Sequence, residues 1–163
     1  NSDDAFFNNQ VVEKAVTIML ENDADCLFTS VEIRLNYFNF VRSYKPKCPS
    51  VRNLEDGMMP PHTGSFIRKK VYEKIGYFKE DFLICGDYEW FCRLALDGGF
   101  SSVLADNIVA VKMASGGASS SNLGARINLH SEIYKSLSQN GLKANHLRLF
   151  ARYLRKIFEF KLS

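Results

Sequence analysis

The chain has 163 residues, of which 46% are hydrophobic and 13% aromatic, and its formal net charge is +3 at pH 7. This length and composition predict one globular domain with a packed core and exclude a disordered chain. No run of about 18 apolar residues occurs, so no membrane span is predicted, and so small a charge does not by itself indicate a nucleic-acid partner.

The first part of the chain is predicted to hold a helix, two strands and a long loop. Apolar residues recur with helical spacing from Phe6 to Asn22. Residues Cys26 to Leu35 are rich in β-formers and predict a buried strand, and the alternating segment Asn36 to Tyr44 continues the sheet or pairs back on that strand. All four prolines lie between Lys45 and Pro61, which predicts a loop.

The second part is predicted to add two strands and four helical segments, which makes the domain mixed α/β. In chain order these are a strand from Thr63 to Ile67, a helical turn from Lys69 to Lys74 ended by a left-handed Gly76, a helix from Asp87 to Asp97 closed by Gly98 and Gly99, a strand from Phe100 to Met113 with a turn near Asp106, and helices from Asn122 to Gln139 and from Leu142 to about Phe160.

The four cysteines are scattered along the chain, at Cys26, Cys48, Cys85 and Cys92. Structural zinc sites use close pairs of ligands, and no such pair is present. The spacing therefore argues against a zinc site and favours reduced thiols in a cytoplasmic protein.

Two acidic residues at the N-terminus, Asp3 and Asp4, permit two interpretations. Adjacent carboxylates at the end of a strand can hold a divalent cation that also bridges a diphosphate, and oxygen ligands favour Mg²⁺ or Mn²⁺. The same residues can instead cap the helix predicted after them. Taken alone, the pair favours the cap.

Further polar residues lie in the segments around Pro61 to Lys69 and Gly86 to Arg93. Asp87, at the start of a predicted helix, is either a capping carboxylate or a general base. Arg93 pairs with an acid or a phosphate, or covers the surface. Trp90 is expected in the core, and His62 alone is more typical of a satisfied loop histidine than of a ligand or base.

Together these segments form an ordered series. The Ser-Asp-Asp triplet and its helix are followed by HTGSFIRKKVYEKIGYF, then GDYEWFCRLALDGG, then SGGAS. In content, order and spacing this series, over about residues 1 to 120, resembles bacterial family 2 glycosyltransferases, many of which decorate cell-surface polysaccharides.

The resemblance implies a partial GT-A fold with a mixed sheet in residues 1–120, which would form the acceptor side of the enzyme, and a helical extension in residues 121–163. Such enzymes bind a nucleotide-diphospho-sugar donor with Mg²⁺ or Mn²⁺ and transfer the sugar to a saccharide or lipid-linked acceptor, usually with inversion.

Residue roles follow from the resemblance by position. Asp4 corresponds to the metal contact of the DXD-type motif, and Asp87 to the general base that takes the proton of the acceptor hydroxyl. The remaining positions correspond to substrate contacts: Asp3 near the ribose or sugar, His62, Gly64 and Arg68 along the sugar and acceptor pocket, and Arg93, Gly116 and Gly117 near the phosphates.

The chain departs from the family pattern in lacking the N-terminal nucleotide-binding half of about 80 to 100 residues. A sheet without that half has an exposed edge, which strand pairing between two copies would cover, so a homodimer is one expectation. A second expectation is that residues 1–163 alone have little or no transferase activity.

The C-terminal helix is predicted to be amphipathic and basic, with Arg152, Arg155 and Lys156 beside an apolar side. Such a helix either packs on the domain, which is the simpler interpretation, or lies peripherally on the inner face of the membrane.

Two functions other than that of a glycosyltransferase remain as alternatives for the chain. One is a non-catalytic interaction domain with the same fold; the other, a nucleic-acid-binding domain, is disfavoured because no recognition motif is present.

Overall fold

A computed structural model describes residues 4–35, 40–114, 123–155 and 160–162. Its centre is a six-stranded mixed sheet in the order β1-β5-β2-β3-β6, with β4 also paired to β2. The strands are β1 (Ala5–Phe6), β2 (Cys26–Leu35), β3 (Phe40–Tyr44), β4 (Ser65–Ile67), β5 (Ser102–Ala114) and β6 (Phe160–Leu162).

Strand β2 is the central strand. One side of β2 pairs with β5 in parallel, and the other pairs antiparallel with β4 in its first half and with β3 in its second half. The expectation that the segment before Tyr44 pairs back on β2 is confirmed for β3; residues 36–39 lie outside the described residues.

The helices are α1 (Val11–Glu21), α2 (Val51–Glu55), α3 (Lys69–Ile75), α4 (Gly86–Asp97), α5 (Leu123–Gln139) and α6 (His146–Arg155), with a 3-10 turn at His62–Gly64. Successive residues of a strand point to opposite faces of the sheet. Accordingly Leu27 packs in the cluster that contains α1, whereas Phe28 packs in the cluster that contains α4.

The larger core lies on the α4 face. Trp90 is only 1% exposed and stacks on Tyr72 with ring centroids 4.7 Å apart, and its indole N–H donates to the Gly76 carbonyl at 2.8 Å. The predicted core position of Trp90 is therefore confirmed. Leu137 of α5 and Leu149 of α6 are fully buried in the same cluster, so both helices belong to this layer.

The predicted start of the first helix is wrong. Residues Ala5 and Phe6 form β1, antiparallel to β5, and α1 begins only at Val11 with Gln10 as its N-cap. The apolar spacing of Phe6 and Phe7 fits a helix, but backbone pairing with β5 decides the local structure. Asp4 therefore lies too far from the helix to cap it.

Three other predicted boundaries change. The long loop contains the short helix α2, whose N-cap Ser50 accepts from the Asn53 N–H. Strand β5 continues through Asp106 without a turn, but its register against β2 shifts there, as in a β-bulge. At the C-terminus, Phe160 lies in β6 paired with β3, so the last helix does not reach it.

Glycines end two helices as predicted, with one difference. Gly98 closes α4 in the left-handed conformation at φ 63°, ψ −1°. Gly76 ends α3 with φ 90° but ψ 165°, so its backbone is extended after the positive φ and is not a left-handed helical stop. None of the helices in the described part of the chain is long and apolar enough to cross a membrane.

Candidate functional site

The centre of the candidate site is an ion pair between His62 and Asp87. His62 Nδ1 and Asp87 Oδ2 are 3.0 Å apart, and the two side chains are 47% and 20% exposed. The residues are 25 positions apart in the sequence and come from different elements, the 3-10 turn and α4. Residue types alone gave no reason to pair them.

The turn that carries His62 is fixed to β2 by Gly64. The Thr29 hydroxyl donates to the Gly64 carbonyl at 2.8 Å. A Cβ on Gly64 would lie 2.8 Å from Val31 Cγ2 and 3.0 Å from Thr29 Oγ1, so no larger residue fits without displacement. The sequence predicted Gly64 as a pocket residue; the structure shows it buried against the strand, where it allows the turn to approach.

Asp87 is held in the first turn of α4. Its Oδ1 accepts from the Tyr88 N–H at 2.7 Å, so the carboxylate satisfies one of the donors left open at a helix start. The N-cap itself is Cys85, whose side chain makes no capping bond. Both interpretations of Asp87 therefore remain compatible with its position, because one oxygen faces the backbone and the other faces His62.

The approach to α4 is completed by Glu132 of α5, a residue that the sequence did not indicate. Its carboxylate accepts from the backbone N–H groups of Leu83, Ile84 and Cys85 at 3.1, 2.9 and 2.8 Å. An acid 47 positions after Cys85 thus holds the segment that leads into α4, and no local pattern could have shown it.

Asp4 lies on the same side of the molecule as the His62–Asp87 pair. Ala5 pairs with Lys112 of β5, so Asp4, one residue earlier on the antiparallel β1, is level with Met113. Thr63, next to His62, contacts Met113, with its hydroxyl 3.6 Å from the sulfur. The ends of β1 and of the 3-10 turn therefore meet beside β5.

The electrostatics of His62 reflect both acids. The hydrogen bond with Asp87 raises the pKa of the His62 imidazole above 6.5; burial acts in the opposite direction, and the charges of Asp87 and Asp4 raise it further. Asp4 and Asp87 thus act on one imidazole, although 83 positions separate them in the sequence.

Arg68 lies at the other end of β4. Its Nε donates to the Ala24 carbonyl at 2.8 Å, and its backbone N–H donates to the backbone carbonyl of Asp25 at 2.9 Å. Lys70 also pairs with Asp25, at 2.6 Å, and this hydrogen bond lowers the carboxyl pKa. The structure therefore groups Arg68 with the start of β2 and does not bring it to Asp87.

Arg93 is occupied by groups of the protein. Its Nε lies 3.1 and 3.0 Å from the two oxygens of Glu89, and Nη1 and Nη2 donate to the carbonyls of Ile75 and Tyr77. The sequence left open whether Arg93 pairs with an acid, binds a phosphate or covers the surface; in the structure it pairs with the acid Glu89. Glu89 is two residues after Asp87, about 200° around the helix, so this cluster faces away from the His62–Asp87 pair.

Three predicted substrate contacts, Asp3, Gly116 and Gly117, lie outside the described residues. The side chains of Arg152, Arg155 and Lys156 are also outside them. The structure therefore places neither the second N-terminal acid nor the basic residues of the last helix.

Asp4, the residue predicted to contact a hard cation, has a buried Oδ2. No cluster of three or more His, Cys, Asp or Glu side chains occurs among the described residues. Mg²⁺ commonly takes only one or two carboxylates and completes its shell with substrate phosphates and water. Asp4 fits that mode of binding, whereas a metal cage made entirely by protein groups has no counterpart in the described part.

No protein-family model and no curated protein matches the chain. Among solved structures, it is similar to crystal structures of Staphylococcus aureus TarS residues 1–349. With the complex containing UDP-GlcNAc the TM-score is 0.53 at 16% identity, covering 96% of this chain and 47% of that one. With TarS alone the values are 0.51, 16%, 96% and 45%.

The chain therefore spans about half the length of the structures it matches. At this level of identity the likeness concerns the fold alone. The chain has a mixed α/β structure that corresponds to part of a glycosyltransferase-like fold.

Proposed function

We propose that this chain forms the acceptor side of a glycosyltransferase that moves a sugar from a nucleotide-diphospho-sugar to a saccharide or lipid-linked acceptor. The observation that carries the proposal is the 3.0 Å pair of His62 with Asp87, beside the end of β5 where Asp4 lies, within a fold similar to that of a protein crystallised with UDP-GlcNAc. Sequence motifs and three-dimensional proximity thus point to the same three residues.

The two carboxylates suit complementary tasks. Asp4 would hold Mg²⁺ or Mn²⁺, and the cation would neutralise the diphosphate that leaves. The Asp87–His62 pair would receive the proton of the attacking hydroxyl. A direct displacement in which the hydroxyl attacks opposite the leaving group inverts the anomeric carbon, and cell-surface polysaccharide synthesis is the process that this reaction would serve.

The test uses the longest open reading frame that contains this chain, with residues 1–163 in parallel. Binding of a panel of nucleotide sugars is measured by calorimetry with and without Mn²⁺. We expect Mn²⁺-dependent binding by the longer protein and weak or no binding by residues 1–163, because these residues span only about half the length of the structure that was crystallised with UDP-GlcNAc.

Two variants separate the roles. Asp4→Ala should weaken Mn²⁺-dependent donor binding at least about tenfold, whereas Asp87→Asn should keep binding and lower turnover by about 10²–10⁴. Asp81→Asn is the control, because Asp81 is an exposed acid paired with Lys135 on the surface. Absence of donor binding by the longer wild-type protein would instead support a non-catalytic interaction domain.

A further inference from the structure

The His62–Asp87 pair raises the question of which of its atoms accepts a proton. Asp87 Oδ1 already accepts from Tyr88 N–H, and Oδ2 is bonded to His62 Nδ1. The imidazole is the more exposed partner, at 47% against 20%. Both carboxylate oxygens are thus engaged, while the second ring nitrogen, Nε2, is not used in this pair.

The relative basicities favour the ring. An unperturbed imidazole has a pKa of about 6.5 and an aspartate about 3.9, and the contacts of His62 raise its pKa further. A proton delivered to the pair therefore stays on the imidazole. Asp87 holds Nδ1–H, which leaves the Nε2 lone pair as the acceptor, as in other His–Asp arrangements.

Resting on the proposed function, we propose that His62 Nε2 is the atom that takes the proton from the acceptor hydroxyl, and that Asp87 is the positioning residue that orients the ring. As the hydroxyl oxygen forms its bond to the anomeric carbon, its proton moves to Nε2. The bond from that carbon to the diphosphate oxygen breaks, and the electron pair leaves with the nucleoside diphosphate. The imidazolium formed is stabilised by the carboxylate of Asp87, which accepts from Nδ1–H.

The first experiment is independent of turnover and uses the 163-residue chain. ¹⁵N NMR of labelled histidines reports which ring nitrogen carries the proton of neutral His62 and at what pH the ring titrates. We expect the proton on Nδ1 and a fall in the pKa when Asp87 is changed to Asn. A neutral ring protonated on Nε2, or a pKa unchanged in Asp87→Asn, would overturn the assignment.

The second experiment measures the pH dependence of kcat/KM in the longer protein. If Nε2 is the base, the rate falls as pH drops through the raised pKa of His62, above 6.5, because the protonated ring has no lone pair. In Asp87→Asn the remaining activity should show this limb at lower pH. An acid limb that stays near the usual pKa of a carboxylate, about 4, would assign the proton to Asp87 and overturn the proposal.

Chemical rescue distinguishes a base from a structural residue. His62→Ala should lower turnover by about 10²-fold or more, while donor affinity changes less than about threefold. Added imidazole should raise the turnover of this variant at least about tenfold over its rate without imidazole. His146→Ala is the matched control, because His146 pairs with His130 between α5 and α6; it should keep the wild-type rate and show no response to imidazole.

The outcomes separate this inference from the function on which it rests. Donor binding with wild-type turnover by His62→Ala, or loss of turnover that imidazole does not restore, would refute the role of Nε2 and leave the transferase function standing. A wild-type protein that binds no donor would refute both.

Discussion

At the scale of single residues, Glu89 is a buried carboxylate that two cations hold in place. It is fully buried, with Lys79 Nζ 2.7 Å and Arg93 Nη2 2.9 Å from its oxygens, and Asn140 donates to it at 3.4 Å. Burial alone would raise the carboxyl pKa, but the hydrogen bonds from Arg93 and Lys79 outweigh burial and lower it. The carboxylate therefore joins α4 to the segment after α3 and to the end of α5.

Replacing Glu89 with Gln should lower the free energy of unfolding at pH 7 by about 2–3 kcal/mol, because two cations lose their counter-charge at a buried position. This loss is smaller than the roughly 3–5 kcal/mol typical of a fully buried ion pair, because the Lys79 side chain is 43% exposed and water partly screens its charge. A lowered folded pKa adds stability above the unfolded value of 4.5, and this stability is lost as pH falls through the folded pKa.

The measurement is urea unfolding of wild type and Glu89→Gln from pH 7 to pH 3. The difference between the two should shrink below about pH 4.5. Asp81→Asn is the exposed control and should change stability little at either pH. A Glu89→Gln protein as stable as wild type at pH 7 would contradict the buried pairing.

Gly64 is constrained by space, which makes the effect of a methyl group predictable. Gly64→Ala should lower the free energy of unfolding by about 1–3 kcal/mol, since its Cβ would lie 2.8 Å from Val31 Cγ2. Gly86→Ala is the matched control. Its Cβ would be no closer than 3.8 Å to any neighbour, and Ala favours the helix, so thermal unfolding should show no loss of stability.

At the scale of elements, Glu132 joins α5 to the start of α4. Glu132→Gln should lower stability by about 1–3 kcal/mol, because three backbone N–H groups lose a charged acceptor. Amide exchange at Leu83, Ile84 and Cys85 should become faster than in wild type.

The control for α5 is an exposed acid elsewhere. Glu73→Gln removes only a surface ion pair, in which the Glu73 side chain is 55% exposed and the Lys69 side chain 83%. This change should leave the free energy of unfolding and the amide exchange of residues 83–85 unchanged. If the amides of residues 83–85 exchange equally fast in wild type and Glu132→Gln, the carboxylate does not hold this segment.

Several elements could be predicted from the sequence because local preference and tertiary packing agree. Strand β2 and helix α4 have the predicted positions, since a β-rich run becomes the central strand and a glycine closes the helix. The segment at Phe6 could not be predicted correctly. Its spacing suits a helix, and only the distant strand β5 shows that Ala5 and Phe6 pair with it.

At the scale of the whole molecule, the sequence indicated which residues are candidates for the site, but it did not indicate which of them contact one another. The resemblance selected Asp4, His62 and Asp87; the structure pairs His62 with Asp87, and Asp4 lies at the same end of β5. The same list included Arg68, whose Nε donates to the Ala24 carbonyl near Asp25, and Arg93, which pairs with Glu89. An arginine's partner depends on which acid the fold places beside it, so residue type and order alone could not distinguish these cases.

Strand β4 is three residues long and has Arg68 next to one end and the turn of His62 at the other. So short a strand makes few backbone bonds, and its alignment along β2 depends on the contacts of Arg68 with Asp25 and of Gly64 with Thr29. A slip of one residue would reverse the faces of the sheet to which its side chains point. Arg68, about 14 Å along the strand from Gly64, therefore contributes to the position of the turn that carries His62.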